Sequence, residues 1–396
     1  MKIHRPTVHF EILSNPEFLS AGTAVSDLLT PSRVLIGSQQ TSEGIRAAEA
    51  LKSIYSWVPS SDIISTNTYS SELAKLVANA MLAQRISSIN SISAICEKVG
   101  ADITELSAAV GADSRIGAQY LKAGVGFGGS CFGKDIRSLV YLAEGLGLRQ
   151  VADYWQQVLA MNEWQNGRFT RRVVERLNNT LSGKKIAILG YAFKKNTSDT
   201  RESPALESIK ILLEDAPKEI AVFDPFCNPT KVREEIGRLV GQEVLRANGG
   251  PVEVFASGYE ACLGAHAVVI MTDCDEFRNT SPITKSQAQK YPDPRPFQRL
   301  KPTESEILAL QRHLGAEDLL QQFEEEPMCV EGCAACLEGG KTAGEVGTER
   351  LDWARVAYHL EKPRWVFDGR GVLEVAEMEK LGVRVEGIGR VGWGGL

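Results

Sequence analysis

The spacing of apolar positions changes twice along the chain. Before about residue 67, short apolar runs alternate with helical spacing. "RVLIGS" (33–38) and "DIIST" (62–66) predict strands, "SEGIRAAEALKSIYSW" between them predicts a helix, and residues 9–13 predict a further strand that runs into a loop at Asn15-Pro16. From Ser70 the period becomes helical: Leu73, Leu76, Val77, Ala80, Ile86, Ile89 and Ile92 predict one long helix, with Ser70 or Ser71 as N-cap and Gly100 at its end. At 1.5 Å per residue this helix would run for roughly 45 Å. Residues 102–110, 135–144 and 150–181 continue the helical pattern, so the middle third predicts an all-α region. After Ser182-Gly183 the strand–helix alternation returns. "KKIAILG", "EIAVFDP", "HAVVIMT", "RWVFDGR" and "VRVEGIG" predict strands, and "SPALESIKILLEDA" predicts a helix with Ser203 as N-cap and Pro204 in its first turn. Apolar strands alternating with helices imply a parallel sheet covered on both faces.

These shifts divide the chain into residues 1–67, the C-terminal remnant of a dinucleotide-binding-type α/β unit; 68–181, a long-helix all-α region; and 182–396, a second parallel α/β region. Within the last, residues from about 279 to 350 break the rhythm with six prolines, one of them in an acidic "FEEEP", and with the glycine-rich "LEGGKTAGEVG", and predict an insertion, partly disordered. The fold class is α/β.

Composition narrows the possibilities. Forty-four Lys and Arg against 50 Asp and Glu leave a net charge of −6, which argues against a nucleic-acid footprint. No apolar run is long enough for a membrane span, and the first residues lack the apolar core of a signal peptide. Eight cysteines, five scattered and three clustered, do not form the framework of a secreted disulfide domain; a reducing cytoplasmic setting fits them. Cys329, Cys333 and Cys336 supply only three zinc donors, so no metal is expected.

The chemistry concentrates in "GVGFGGSCFGKD" (124–135). The loop leads into a helix, which places Cys131 near a helix N-terminus. Such an end carries free N–H groups and partial positive charge that favour a thiolate. Asp135 lies one turn on, and Gly126, Gly128 and Gly129 would permit close approach of a ligand. Two readings stand: a loop that holds a substrate against a reactive sulfur, or a glycine-rich turn around an inert cysteine. Lys75 and Asn79 share a face of the long helix at i, i+4, either as site residues or as part of a solvated surface. Glu17 follows a proline turn. Lys194, Lys195 and Arg201 sit between a strand and a capped helix, which suits a phosphate. Arg370 ends another strand of the same sheet.

Together, "NPEFL", "TNTYSSELAKLVANAMLAQRISSINSISAICE", "LKAGVGFGGSCFGKDI", "KKIAILGYAFKKNTSDTRES" and "FDGR" resemble the UDP-glucose 6-dehydrogenases of the UDP-glucose/GDP-mannose dehydrogenase family, over nearly the whole chain except 279–350. The resemblance implies a two-step NAD-dependent oxidation of UDP-glucose to UDP-glucuronate through a cysteine thiohemiacetal and thioester. It implies Cys131 as nucleophile. Lys75, Asn79 and Asp135 would position water and the developing oxyanion, and Glu17 would assist proton transfer. A substrate site follows from Glu17, Phe18, Lys75, Asn79, Lys122, Gly124, Val125, Gly126, Phe127, Gly128, Phe193, Lys194 and Arg370, with Arg115 supplied by a neighbouring subunit. Cys131, Lys134 and Arg201 would lie near NAD. A homo-oligomer of at least two copies is implied, with no nucleic-acid or membrane partner.

Two departures shape the expectation. Most of the N-terminal NAD-binding domain is expected to be missing, which would leave the chain unable to turn over alone; a non-catalytic UDP-sugar-binding, oligomer-forming remnant and a related nucleotide-sugar dehydrogenase are the alternatives. Gly387, Gly389 and Gly392 match a dinucleotide fingerprint, but no helix can follow them, and Ala21 stands where many members carry Glu.

Overall fold

A computed structural model of the chain describes residues 10–279 and 350–390. The described helices and strands are numbered in chain order. The first region contains α1 (Ala24–Leu29), β1 (Val34–Ser38), α2 (Ser42–Ile54) and β2 (Ile63–Asn67). β1 and β2 are parallel, in register from Val34–Ile63 to Ser38–Asn67, with α2 as the crossover between them. Ile36, Val34, Ala48, Val58 and Ile63 form the small core beneath this pair. The strand expected at residues 9–13 does not form among the described residues. In its place Ser14 makes a single antiparallel bridge to Gly37, with backbone bonds of 2.8 and 2.7 Å. His9 lies outside the described residues.

The all-α region contains α3 (Thr68–Val99), α4 (Ile103–Gly111), α5 (Phe132–Gly145) and α6 (Arg149–Arg176). α3 leaves β2 without a loop. Its cap is Asn67, whose side chain accepts from Ser70 N at 2.8 Å, rather than Ser70 or Ser71. Its C-terminus is closed as expected by Gly100 at φ 81°. α5 begins three residues earlier than its apolar pattern predicts, so that Cys131 itself is the N-cap. α3, α5 and α6 pack around Ala80, Ala83, Ile136, Leu139, Val158 and Leu159, all buried.

The remaining region is a six-stranded parallel sheet. It comprises β3 (Lys185–Leu189), α7 (Pro204–Leu213), β4 (Glu219–Phe223), α8 (Pro229–Leu239), β5 (Val252–Val254), α9 (Gly258–Cys262), β6 (Ala267–Ile270), α10 (Trp353–His359), β7 (Trp365–Asp368), α11 (Val375–Lys380) and β8 (Arg384–Gly387). The strand order is β5-β4-β3-β6-β7-β8, with every neighbour parallel. The chain winds outward from β3 in one direction and from β6 in the other. That is the doubly wound order, and its crevice opens at the carboxyl ends of β3 and β6. Cores on both faces explain the continuous apolar strands: Ile186, Ile188, Val222 and Phe367 on one side, and Leu189, Phe223, Val268 and Val366 on the other. Ser203 caps α7, bonding Ala205 N at 3.2 Å, with Pro204 in the first turn.

The helical region and the sheet are joined by ion pairs. Glu97 of α3 accepts from Arg168 and Arg172 of α6, and Glu386 of β8 pairs with Arg172 and Arg176. The three-cysteine cluster and the expected insertion from 280 to 349 lie outside the described residues.

Candidate functional site

Local bonding explains how distant segments meet. The Ser14–Gly37 bridge holds residues 15–20 beside the first turns of α3. Asn15 Nδ2 donates to Leu35 O at 2.9 Å, and Ser71 Oγ donates to Ser14 O at 3.2 Å. Glu17 is thereby brought to Lys75. Lys75 Nζ donates to the Glu17 carbonyl and pairs with Glu17 Oε1 at 3.1 Å. The Phe18 ring lies below Lys75, 5.3 Å from its Nζ, and below the Arg33 guanidinium at 4.0 Å. Burial alone would raise the Glu17 carboxyl, but the Leu19 amide and Lys75 outweigh it and hold its pKa below the ordinary 4.5. Glu17 is therefore a carboxylate near neutral pH, suited to accept a proton and not to donate one.

One turn further along α3, Asn79 Nδ2 donates to Asp135 Oδ2 at 2.6 Å. Asp135 is buried, and Lys134 Nζ stands 3.5 Å from its other oxygen. Asp135 N bonds back to Cys131 O at 2.9 Å, which closes the first turn of α5. The Cys131 side chain makes no capping bond, and it is the one exposed cysteine among the described residues; Cys96, Cys227, Cys262 and Cys274 are buried. The structure thus excludes a buried, walled-in sulfur.

Two cations from the sheet region share the field of that sulfur. Burial pushes Lys194 below its usual value, against the opposing pull of Asp27, Asp199 and Cys131. Arg201 is raised chiefly by its bond to Asp199, with Cys131 adding to the effect. Lys194 Nζ also reaches Ser20 Oγ at 3.1 Å, and it lies 5.7 Å above the Phe193 ring.

A second group sits at the crevice of the sheet. Lys122 pairs with Asp273 at 2.9 Å, beyond the end of β6. Burial would raise Asp273, but Lys122 and Arg278 overcome it and hold the carboxyl low. Arg370, beyond β7, donates from Nε to Met271 O at 2.7 Å and from Nη1 to Gly126 O at 2.9 Å. Its Nη2 is buried with no partner among the described residues. Burial pushes the guanidinium down to about 10, so it remains a cation at neutral pH. A buried donor left idle on a half-buried guanidinium is costly unless an anion completes it.

The segment from Gly124 to Gly128 links the two groups. Val125 N bonds Gly369 O at 3.1 Å, and Gly129 N bonds Arg201 O at 2.9 Å. The glycines serve a purpose the sequence alone did not reveal. A Cβ at Gly126, where φ is 108°, would lie 2.6 Å from Asn162 Oδ1, and one at Gly128 would collide with the Glu202 carbonyl and stand 2.8 Å from Pro204 Cδ. The space freed at these positions is filled by the protein's own atoms.

Arg115 is the candidate that the chain does not bring to either group. It is highly exposed and bonds Asp113 in a bidentate pair. Several residues with positioning roles were missed. Asp224 accepts from Tyr191 N and Ala192 N at 2.6 and 2.8 Å and so shapes the loop before Phe193. Asp368 does the same for Arg370 N, Val372 N and Leu373 N. The signal for both was an aspartate ending an apolar strand, in "VFDP" and "VFDG".

Comparison with known proteins bears on this arrangement. Family models described as the central, UDP binding and NAD binding domains of the UDP-glucose/GDP-mannose dehydrogenase family match residues 69–164, 187–295 and 1–58. A UDP-glucose 6-dehydrogenase 4 of Arabidopsis thaliana is 39% identical over 392 residues, covering 97% of this chain and 67% of that protein. The chain belongs to the UDP-glucose/GDP-mannose dehydrogenase family. A UDP-glucose 6-dehydrogenase of Caenorhabditis elegans is 54% identical over 270 residues, covering 68% of this chain and 55% of that one. This chain therefore spans little more than half the length of some curated family members. A UDP-glucose dehydrogenase structure from Pyrobaculum islandicum superposes with a TM-score of 0.59 at 32% identity, covering 68% of this chain and 57% of that one. The match of the NAD binding domain to residues 1–58 does not bear out the expectation that most of that domain is lacking.

Proposed function

We propose that the chain oxidises UDP-glucose at C6 to UDP-glucuronate, with Cys131 holding the carbon between the two oxidations. The observation that carries this reading is the one exposed thiol among the described residues, at the head of α5, with the Asn79–Asp135 bond one turn on. The family membership and the 54% identity to a UDP-glucose 6-dehydrogenase support it.

The crevice of the sheet fits the nucleotide diphosphate. The idle Nη2 of Arg370 and the Lys122 ammonium supply the charge that a diphosphate needs. The exposed Lys134 and Arg201 beside the thiol suit the anionic part of NAD. When bound, NAD supplies the two-electron acceptor for each oxidation. The chain's own residues do the rest. The Cys131 S–H adds across the C6 aldehyde: a C–S bond forms and the proton passes to the carbonyl oxygen. The helix N-terminus and the nearby cations stabilise negative charge as it develops there. Lys75 and Asn79 would hold that oxygen. At the thioester stage water adds at the carbonyl, the C–S bond breaks, and the thiol is restored with release of the carboxylate. The ionised Glu17 and the buried Asp135 are the carboxylates available to orient that water and take its proton.

Large apolar side chains lie exposed along α3 and α6, among them Tyr69, Met81, Ile95, Val99, Tyr154 and Trp164. They support an assembly of at least two copies, in which Arg115 of one subunit would complete the site of another. The free thiols suit the reducing cytoplasm.

The test is NADH formation by the purified chain with UDP-glucose and NAD⁺. Turnover by the native chain and none by Cys131→Ser is the expected result. Equal turnover by the variant would refute the reading.

A further inference from the structure

The segment that carries the thiol has almost no regular structure, yet its backbone is closely bonded. Between Gly124 and Phe127, amide side chains meet the main-chain groups. Gly124 N donates to Asn90 Oδ1 at 2.9 Å, and Gln165 Nε2 donates to Gly124 O at 2.9 Å. Phe127 N donates to Asn162 Oδ1 at 2.8 Å, while Asn162 Nδ2 donates to Phe127 O at 3.0 Å. One carboxamide thus satisfies both backbone groups of a single residue, as a neighbouring β-strand would. Asn162 Oδ1 also occupies the space beside Gly126.

The connection continues to the sulfur. The Phe127 ring meets the Phe132 ring edge-on, with centroids 5.6 Å apart and planes at 82°. Phe132 is the first residue of α5, next to Cys131. Fixing Phe127 therefore fixes the start of the helix that presents the thiol. One turn along α6, Asn166 bonds a different segment, donating to Pro204 O at 2.9 Å. The role at Phe127 belongs to Asn162 alone among the described residues of α6.

We propose that Asn162 is a positioning residue: by gripping both backbone groups of Phe127 it sets the 124–128 segment and the Cys131 thiol in one geometry, so that a bound UDP-sugar meets the sulfur. The inference rests on the reading of UDP-glucose as substrate. Asn162 touches no reacting atom; it acts through Phe127 and Phe132.

The test is the rate at which iodoacetamide labels Cys131 in the full chain, read by peptide mass mapping, as UDP-glucose is titrated. In the native chain UDP-glucose slows labelling. Asn162→Ala keeps its circular dichroism spectrum but needs at least about tenfold more UDP-glucose for half-protection, because both Phe127 bonds are lost and the segment is free to shift. Asn162→Asp retains an acceptor for Phe127 N, recovers part of the effect, and serves as the measured variant if the alanine form does not fold. Thr170→Ala, on the same helix as Asn162, removes a buried bond to Ser208 of α7; it lowers the melting temperature and leaves protection unchanged.

Native-like protection in Asn162→Ala would overturn the inference and leave the substrate reading intact. Equal loss in Thr170→Ala would overturn it too, since stability alone would then explain the effect. A native chain that UDP-glucose never protects would defeat the substrate reading, and this inference with it.

Discussion

The two ends of the site are built differently. At the crevice end, Arg370, Lys122 and the backbone from Gly124 to Phe127 are tied to neighbours by bonds of 2.7–3.1 Å, two of them with the buried amides of Asn90 and Gln165. At the thiol end, Cys131 is exposed and uncapped, Lys134 and Arg201 are exposed, and Lys75 is held by a partner that is itself mostly exposed. The contrast suits the work of each end. Recognition of a rigid nucleotide gains from groups already fixed in place. A sulfur that must form and break a bond needs access and room.

The largest expected effect separates the ends by function. Lys75→Ala should lower kcat by about 10²–10³, the usual cost of losing a donor to a developing oxyanion, with UDP binding unchanged. Steady-state kinetics beside UDP calorimetry checks this; a change confined to UDP affinity would move Lys75 to the other end. Arg370→Ala should do the reverse. It removes a half-buried cation and leaves the Gly126 and Met271 carbonyls without their donor, for about 2–4 kcal/mol, or roughly 30- to 900-fold weaker UDP binding by calorimetry. Iodoacetamide labelling of Cys131 without ligand should be unaffected.

A smaller effect tests the packing that joins the ends. Gly128→Ala must displace the Glu202 carbonyl or Pro204, and should cost about 1–3 kcal/mol of stability in urea unfolding. An unchanged midpoint would mean that the 193–204 loop yields freely. The smallest effect is at Glu17. Its folded-state pKa lies below the ordinary 4.5, so its pairing with Lys75 stabilises the fold fully above that value and fades as pH falls through the lowered one. Glu17→Gln should flatten the dependence of the unfolding midpoint on pH in that acid window and leave it unchanged near neutrality.

The sequence revealed elements and chemistry more readily than the bonds that hold the site. α3 was legible because its apolar residues keep helical spacing over 32 residues and Gly100 stops it. Its cap was misplaced because Asn67 also ends β2, and strand and helix meet there without a turn. The start of α5 was read late because Gly133 resembles loop. In the structure that glycine is helical, and a side chain there would meet the Glu202 carboxylate. Asn90, Asn162 and Gln165 left no signal. Each is a polar residue on a long helix, and its partner lies 34–41 positions away in a segment without periodicity. The single bridge at Ser14 likewise replaced an expected strand because only one residue pair aligns with Gly37.

The central claim is that Cys131 bonds the carbon being oxidised, and trapping that bond tests it most directly. Glu17→Gln, which removes a carboxylate assigned to the hydrolytic water, incubated with UDP-glucose and NAD⁺, quenched in acid and digested, should yield the Cys131 peptide carrying the mass of the sugar-nucleotide acyl group, absent when NAD⁺ is withheld. An unmodified Cys131 peptide while UDP-glucuronate accumulates would contradict the account.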